Sequence, residues 1–390
     1  MTHVPPPAAA SAAARAWTEA PGLWLLRSAF LLALVAPGVR DWFRVWHLLW
    51  VYLALLAFAT AMFAVPVVRA LAVQWGVLDN PAARKVHAVA VPLLGGAAVY
   101  AAFATTVLFN FTFSLQLKGV AVGATIVVLV GILDDVTDIS ARAKLAGQVA
   151  GALAAILYGV VLSVVPQSVP GATYLNLLLT VLWFLTVTNA VQFLDGMDGL
   201  AAGLGVIAGI FFSIAALQTE QPYLMFLGAA LVGACLGFLP YNFRSGGATI
   251  FLGDSGASFV GFTLAGLAVM GEWSDNNPVV ALLTPALILA VPLFDIVFVG
   301  VARIVTGKVH SLHEWLAYTG KDHIHHRFEA LGLTKRQSVL LIFFIAGTLG
   351  LSALLLKVST PKEAVLLLVQ TACVLAVIAI LEGAGRGRGQ

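Results

Sequence analysis

The chain has 390 residues, of which 61% are hydrophobic and 10% are charged, and its mean hydropathy is +0.98. Soluble domains carry about 25% charged residues, so this composition excludes an ordinary soluble enzyme and a disordered chain. The net charge of +3 gives no indication of a nucleic-acid partner, and the two isolated cysteines exclude a disulfide framework. The sequence therefore predicts an all-α, polytopic integral membrane protein.

Residues 1–45 differ from the rest of the chain. The segment 1–20 is rich in Ala and Pro, which predicts a flexible tail. The apolar stretch 23–36 is interrupted by Arg27 and is shorter than the roughly 20 residues that a membrane span requires. We interpret this stretch as an interfacial helix, and a twelfth membrane span is the alternative.

Eleven longer apolar runs follow, and each of them predicts a transmembrane helix. Together they define a transmembrane domain over residues 46–382, which leaves a basic C-terminal tail over residues 383–390. The predicted spans lie near residues 46–68, 93–112, 119–133, 144–165, 174–191, 200–218, 223–240, 256–271, 279–302, 337–356 and 364–382.

The loops between these spans alternate between short loops and longer, more polar ones, so all the polar loops share one side of the membrane. Fourteen of the 21 Lys and Arg residues fall on that side. Basic loops are characteristic of the cytoplasmic side. The polar loops are therefore predicted to be cytoplasmic and the N-terminus external.

Acidic side chains gather in or beside the polar loops. Carboxylates at membrane depth are costly and usually mark a functional site. Asp134 and Asp135 end one span, and on a continuing helix Asp134 and Asp138 would share a face. Like charges this close repel unless a cation lies between them, and oxygen ligands suit Mg²⁺. A solvated helix end is the alternative interpretation.

Two glycine-rich segments carry further carboxylates. Between Asn189 and Gly199, glycines follow both Asp195 and Asp198, which permits tight turns and close approach to a ligand. These amides and carboxylates suit a base or ribose, and a plain polar turn is the alternative. Asp254 stands between glycines where a span begins, at a position that favours either phosphate binding or simple N-capping.

The longest polar loop contains a cluster of imidazoles and a guanidinium, which are good partners for a diphosphate. A zinc site and an exposed polar loop are the alternatives, and we discount zinc because no cysteine is nearby. The cluster consists of His323, His325, His326 and Arg327.

Three further charged residues extend this pattern. Lys85 and His87 lie in another polar loop, where they bind an anionic substrate or anchor the loop at the inner face of the membrane. Asp295 lies inside a predicted span, where it pairs with an inner-loop cation or only supports packing.

Taken in chain order, these motifs resemble the polyprenyl-phosphate N-acetylhexosamine-1-phosphate transferase family, which also includes the phospho-MurNAc-pentapeptide translocase. The resemblance depends on Arg84-Lys85-Val86-His87 with Gly95-Gly96, on Asp134-Asp135, on Asn189 to Gly199, on Gly253-Asp254-Ser255-Gly256 and on His323-Ile324-His325-His326-Arg327.

Three positions distinguish this chain within the family. Ile324 interrupts the three consecutive histidines that are usual in the pentapeptide branch. The chain therefore looks like the branch that moves N-acetylhexosamine-1-phosphate onto undecaprenyl phosphate to begin O-antigen, common-antigen, teichoic-acid or capsule-type glycans. Gln192 stands where the family often has a second Asn, and Ala90 replaces the first proline of a PxPxxGG stretch. Neither departure removes a charge.

The resemblance implies transfer of N-acetylhexosamine-1-phosphate, with GlcNAc-1-phosphate as the expected group, from a UDP-sugar to undecaprenyl phosphate. UMP would be released at the cytoplasmic face of the bacterial inner membrane, and the lipid product would begin a cell-envelope glycan. The resemblance also implies Mg²⁺, with Mn²⁺ as a substitute, and leaves open whether two copies form a homodimer.

The resemblance assigns roles residue by residue. Asp254 is a metal ligand with Asp135, and Asp134 and Asp135 form the catalytic acidic pair. Asn189, Asp195 and Asp198 would hold the nucleotide or assist the metal site, and the two acids count among the catalytic residues. His325, His326 and Arg327 would contact the diphosphate, His323 would bind substrate, and Lys85 with His87 would contact a substrate phosphate.

Several alternatives remain open from the sequence. A single displacement by the lipid phosphate is our hypothesis, and an aspartyl-phosphate on Asp134 or Asp135 is the two-step alternative. The donor could instead be a UDP-GalNAc-type sugar or UDP-MurNAc-pentapeptide. An ion-coupled transporter is the alternative from a different class, but transporters place their key groups near the bilayer midplane, whereas these acids gather at one surface.

Overall fold

The part of the chain that the structure describes folds into helices, as predicted, with one short hairpin. A computed structural model describes residues 21–80, 90–110, 114–274, 277–307, 309, 320 and 322–386. Lys85, His87 and the tail predicted over residues 1–20 lie outside the described residues. In the described part, the helices are α1 (Pro21–Val35), α2 (Val39–Val45), α3 (Leu49–Trp75), α4 (Gly95–Asn110), α5 (Leu115–Thr137), α6 (Ala141–Leu157), α7 (Ala172–Leu194), α8 (Leu200–Gln218), α9 (Pro222–Asn242), α10 (Gly253–Met270), α11 (Pro278–Ile288), α12 (Ala290–Val305), α13 (Ile324–Ala330), α14 (Lys335–Val358) and α15 (Pro361–Arg386).

Each of the eleven predicted spans contains a helix. Seven helices in the described part of the chain are long and apolar enough to cross a membrane, and two bent pairs bring the number to nine if each pair is one span. The seven are α3, α5, α7, α8, α9, α14 and the Pro361–Leu381 part of α15.

The span predicted over residues 279–302 is wrong in one respect, because it is broken into two helices. α11 and α12 meet at Leu289 and differ in direction by 82°. Pro292 has no N–H to donate to the carbonyl of Ile288, and its ring disturbs the preceding turn. The apolar run thus contains a sharp bend, and Asp295 lies shortly after it on α12.

The N-terminal helix packs along α3. The rings of Trp24 and Phe63 are 5.6 Å apart, whereas Leu34, ten residues later, belongs to the same buried cluster as Leu53. α1 therefore runs antiparallel to α3 and in contact with it. α2 follows at an angle of 60° to α1.

Glycines bring three helix ends together around the first turn of α10. A Cβ added to Gly96, at the start of α4, would overlap the backbone of Gly256, and one added to Gly131 of α5 would overlap the backbone of Ser255. Only glycine allows such close approach of backbones. The first turn of α10, with Asp254, is thus held between α4 and α5.

A two-stranded hairpin is fixed to the same place. Strand β1 (Leu78–Asp79) pairs in antiparallel fashion with β2 (Val91–Pro92). Phe251 donates its amide to the carbonyl of Pro92 at 2.9 Å, and the amides of Gly95 and Gly96 donate to the carbonyls of Phe251 and Leu252 at 3.0 and 2.7 Å. Both ends of the loop that carries Lys85 and His87 therefore lie at this junction.

Candidate active site

Asp254 is the point at which three of the predicted motifs meet. Its Oδ1 accepts a hydrogen bond from Nε2 of Gln192 at 2.9 Å, and its Oδ2 is 3.1 Å from Nζ of Lys144. The same ammonium pairs with Asp134. Side chains from the end of α5, the start of α6 and the end of α7 thus contact one carboxylate at the start of α10.

Asp135 binds the first turn of α10. Its carboxylate accepts hydrogen bonds from the amide of Asp254 at 2.8 Å, from the amide of Ser255 at 3.3 Å and from the hydroxyl of Ser255 at 2.7 Å. A carboxylate is stabilised at a helix N-terminus by these free N–H groups. Gly253 has φ +74°, and a Cβ there would lie 2.7 Å from the Asp135 carboxylate, so glycine keeps the position clear.

Asp134 is buried, and its Oδ1 accepts the amide of Ile139 at 3.0 Å. The interpretation that Asp134 and Asp138 share a helix face is wrong, because α5 ends at Thr137. Asp138 has φ +53° and is exposed, so the chain turns away at this residue. The functional neighbour of Asp134 is Lys144, which sequence reasoning had assigned only to the basic side of the membrane.

A chain of carboxamides supports Asp254 from inside the bundle. Gln148 of α6 is buried, and its Nε2 donates to Oε1 of Gln192 at 2.8 Å. Asn189 donates from Nδ2 to Oε1 of Gln148 and to the carbonyl of Leu185, both at 2.7 Å. Asn189, predicted to contact nucleotide, is thus engaged in positioning the Gln192 amide on Asp254. Gln148 was not predicted.

The loop between α7 and α8 carries the next two carboxylates. Asp198 accepts the amide of Ala248 at 2.9 Å, which ties this loop to the segment before α10. Burial raises the pKa of Asp195 well above its usual value, and the carboxylates of Asp254, Asp135 and Asp198 raise it further. These four acids therefore share one electrostatic environment, as the sequence predicted.

The histidine segment lies against this loop. His325 is only 1% exposed, and neither ring nitrogen has a hydrogen-bond partner. A Cβ added to Gly196 would overlap Nε2 of His325, so the ring lies directly on the backbone between Asp195 and Asp198. Burial lowers the pKa of His325 well below its usual value, and His326 and His323 lower it further. An unpartnered buried imidazole indicates a ligand-binding position.

One ion pair and two hydrogen bonds fix the start of the histidine segment. Arg303 of α12 donates from Nε and Nη2 to the two oxygens of Asp322 at 2.8 and 2.7 Å. These bonds and the charge of Arg303 outweigh the effect of burial and lower the pKa of Asp322. Asp295 contacts His323, and Arg327 donates from Nε to the carbonyl of Asp322 at 3.3 Å. The predicted residues of this segment are thus brought together beside the loop at 193–198.

The donor set fits a magnesium ion. In the described part of the chain no group of three or more His, Cys, Asp and Glu side chains is arranged to enclose a metal. Mg²⁺ usually keeps several waters and binds one or two carboxylates together with substrate phosphates, so enclosure by protein is not required. No described residue donates a hydrogen bond to the Asp195 carboxylate, and the charges of Asp254 and Asp135 raise its pKa. A cation would relieve this repulsion.

The chain is similar to proteins of known name. The model of "Glycosyl transferase family 4" matches residues 117–272, from α5 to just beyond α10. A Bacillus subtilis protein named probable undecaprenyl-phosphate N-acetylglucosaminyl 1-phosphate transferase is 34% identical over 308 residues, which cover 77% of this chain and 83% of that protein. The decaprenyl-phosphate N-acetylglucosaminephosphotransferase of Mycolicibacterium smegmatis is 32% identical over 324 residues, 75% of this chain and 78% of that protein.

The pentapeptide branch is also similar, over a shorter region. The phospho-N-acetylmuramoyl-pentapeptide-transferase of Desulforudis audaxviator is 32% identical over 187 residues, which cover 45% of this chain and 50% of that protein. The resemblance seen in the motifs is confirmed by these matches over most of the chain. The protein therefore belongs to glycosyl transferase family 4, as a member of the polyprenyl-phosphate N-acetylhexosamine-1-phosphate transferases.

Proposed function

We propose that the protein transfers GlcNAc-1-phosphate from UDP-GlcNAc to undecaprenyl phosphate, releases UMP and so begins a lipid-linked cell-envelope glycan. The observation that carries this proposal is the convergence on Asp254 of Asp135, Lys144 and Gln192 from three separate helices. The names of the Bacillus and Mycolicibacterium relatives support the same substrates.

The site is suited to diphosphate exchange, which requires charge neutralisation and alignment more than covalent catalysis. The phosphate of the lipid attacks the β-phosphate of the donor, and because its second pKa is about 6 it needs no strong base near pH 7. Lys144 and Arg327 supply positive charge, and His325 supplies a neutral imidazole. Mg²⁺, bound by Asp254 and Asp135, would supply Lewis acidity for the departing UMP.

A single displacement fits the carboxylates better than an aspartyl-phosphate does. Both oxygens of Asp135 accept hydrogen bonds from the start of α10, and those of Asp134 are engaged by Lys144 and by the amide of Ile139. Hydrogen bonds and ion pairs draw electron density from a carboxylate and make it a weaker nucleophile, while each oxygen keeps a lone pair for a metal ion. These contacts favour positioning and electrostatic roles for both residues.

The donor is proposed to be UDP-GlcNAc, with UDP-GalNAc-type sugars and UDP-MurNAc-pentapeptide as alternatives. Both GlcNAc-named relatives cover at least 75% of this chain, whereas the pentapeptide enzyme covers 45%. Ion-coupled transport is not favoured: the broken pair α11 and α12 resembles transporter helices, but its buried acid, Asp295, is bound by His323.

We expect the purified protein to release UMP only when UDP-GlcNAc and polyprenyl phosphate are both present. Chelation of divalent cations should stop the reaction, and Mg²⁺, or less effectively Mn²⁺, should restore it. A panel of UDP-sugars with measured UMP release checks this. UMP release without lipid would favour the two-step route, and no turnover with any UDP-sugar would overturn the proposal.

Gly196→Ala is expected to raise the KM for UDP-GlcNAc about 10-fold, because the added Cβ displaces the ring of His325 and one contact to a charged substrate is lost. Gly246→Ala is the matched control, since a Cβ at that loop glycine meets nothing within 4 Å. Steady-state kinetics of both variants check the expectation. Equal KM values would show that His325 does not bind the donor.

The proposed location is the bacterial inner membrane, with the site at the cytoplasmic face, where the basic loops lie. The tail at 1–20 was predicted to be external. Antiparallel packing of α1 on α3 supports the alternative in which α1 enters the membrane, which would place Pro21 nearer the inner side. A homodimer remains a prediction.

A further inference from the structure

Asp295 is a buried carboxylate to which the proposed reaction assigns no role. It lies on α12 and has 0% exposed surface. Its Oδ2 is 2.6 Å from Nδ1 of His323, and its Oδ1 accepts the amide of Ile324 at 2.7 Å. A buried carboxylate is costly unless it is paired, and both partners of this one belong to the histidine segment.

The contact determines which nitrogen of His323 can reach a ligand. With Asp295 as the acceptor, this hydrogen bond places a ring proton of His323 on Nδ1. The ring centroids of Phe193 and His325 are 5.2 and 6.2 Å from that of His323, and the ring of His325 is 8° from parallel with it. With Nδ1 engaged by Asp295, Nε2 is the nitrogen that can contact a substrate.

We propose that Asp295 is a positioning residue that acts through His323, holding the ring so that Nε2 contacts a phosphate oxygen of the donor diphosphate. When the ring is protonated, Nδ1 donates to Asp295 and Nε2 donates to the phosphate, and both are charge-assisted bonds. This inference rests on the proposed function, because the diphosphate is that of the UDP-sugar.

A second pair on the same segment provides a comparison. Asp322 is bound through both oxygens to Arg303, and these bonds hold the segment without touching a histidine ring. Asp322→Asn therefore weakens the support of the segment through Arg303 and leaves the hydrogen bond between Asp295 and the His323 ring in place. Asp295→Asn retains an oxygen that can accept the amide of Ile324, but it removes the carboxylate charge that Nδ1 of His323 contacts.

A double-mutant cycle tests the proposal. Asp295→Asn and His323→Asn are each expected to raise the KM for UDP-GlcNAc about 10-fold, with a smaller change in kcat, because a charged hydrogen bond to substrate is lost. The double variant should match His323→Asn alone, since Asp295 has no other route to the substrate. In the double variant of Asp322→Asn and His323→Asn, the two increases in KM should instead multiply.

Multiplied losses in the Asp295 and His323 double variant would overturn the proposal, as would a fall in kcat at unchanged KM. If Asp295→Asn is not recovered folded by size exclusion, Asp295→Glu, which keeps the charge and displaces the ring, takes its place under the same criteria. Wild-type protein assayed in parallel distinguishes failure of the proposed function from failure of this inference. Inactivity of the wild type with every UDP-sugar would contradict the proposed function. An active wild type, together with KM increases that multiply in the double variant, would contradict only this inference.

Discussion

Asp254→Asn is expected to lower turnover about 10³-fold, the scale of losing a preorganised electrostatic contact in an active site. The amide cannot balance the charge of Lys144 or of a bound cation, and it can no longer accept at both oxygens from Gln192 and Lys144. UMP release by the purified variant measures the effect.

The control for Asp254→Asn is Asp138→Asn. Asp138 is exposed and left-handed at the end of α5, and Asn tolerates that conformation. The turnover of Asp138→Asn should stay within about twofold of wild type, as for other surface substitutions. Near-normal turnover of Asp254→Asn would show that this carboxylate has no part in catalysis. Equal losses of turnover in both variants would show a general effect of lost acidic charge.

Lys144→Met is expected to lower turnover about 10²-fold or more, and it should also lower the Tm. Its ammonium pairs with both Asp134 and Asp254, and Asp134 is buried. Removing one partner of a pair leaves the other charge uncompensated, at a cost that the partial exposure of Lys144 reduces. UMP release and a thermal melt measure the two effects.

A thermal melt with added Mg²⁺ makes this test sharper. If the two carboxylates can take a divalent cation in place of the ammonium, Mg²⁺ should raise the Tm of Lys144→Met more than that of wild type. Arg142→Met is the matched control, because Arg142 is exposed in the same first turn of α6. Identical responses to Mg²⁺ in all three proteins would contradict a cation site between Asp134 and Asp254.

The convergence of the acidic motifs could be predicted from the sequence. Alternation of apolar runs fixes which helix ends share a side of the membrane, so Asp135 at the end of α5, Asp195 after α7 and Asp254 at the start of α10 had to lie at one end of the bundle. The family resemblance then gave them roles. The alternation of apolar runs does not predict which side chains contact each other within the site.

The roles of Lys144 and Gln148 were missed for that reason. Lys144 is 110 residues from Asp254 in the chain, and its position was fully explained by the preference for basic residues on the inner side. One signal was present: Lys144 and Gln148 are four residues apart on α6, hence on one face of a mostly apolar helix. That spacing indicates a shared polar environment but not its location.

Local backbone geometry accounts for the other differences. A left-handed residue at Asp138 ends α5, and apolar periodicity does not reveal where a helix ends. The contact between Asp295 and His323 joins residues 28 apart and follows a bend at Leu289 between two helices. The run of apolar residues through this bend is as continuous as that of a straight span.

The hydrogen bonds between residues 92–96 and residues 251–252 tie the hairpin to the start of α10. Neither element can open without exposing amides of the other, so the two are expected to open as a single cooperative unit. The carboxylates of Asp135 and Asp254 are consequently in place before any substrate binds. Reorganisation of these groups therefore adds little to the activation barrier for phosphoryl transfer. A change of sugar or lipid preference would therefore have to arise in the more peripheral loops, since this junction leaves little freedom to adapt.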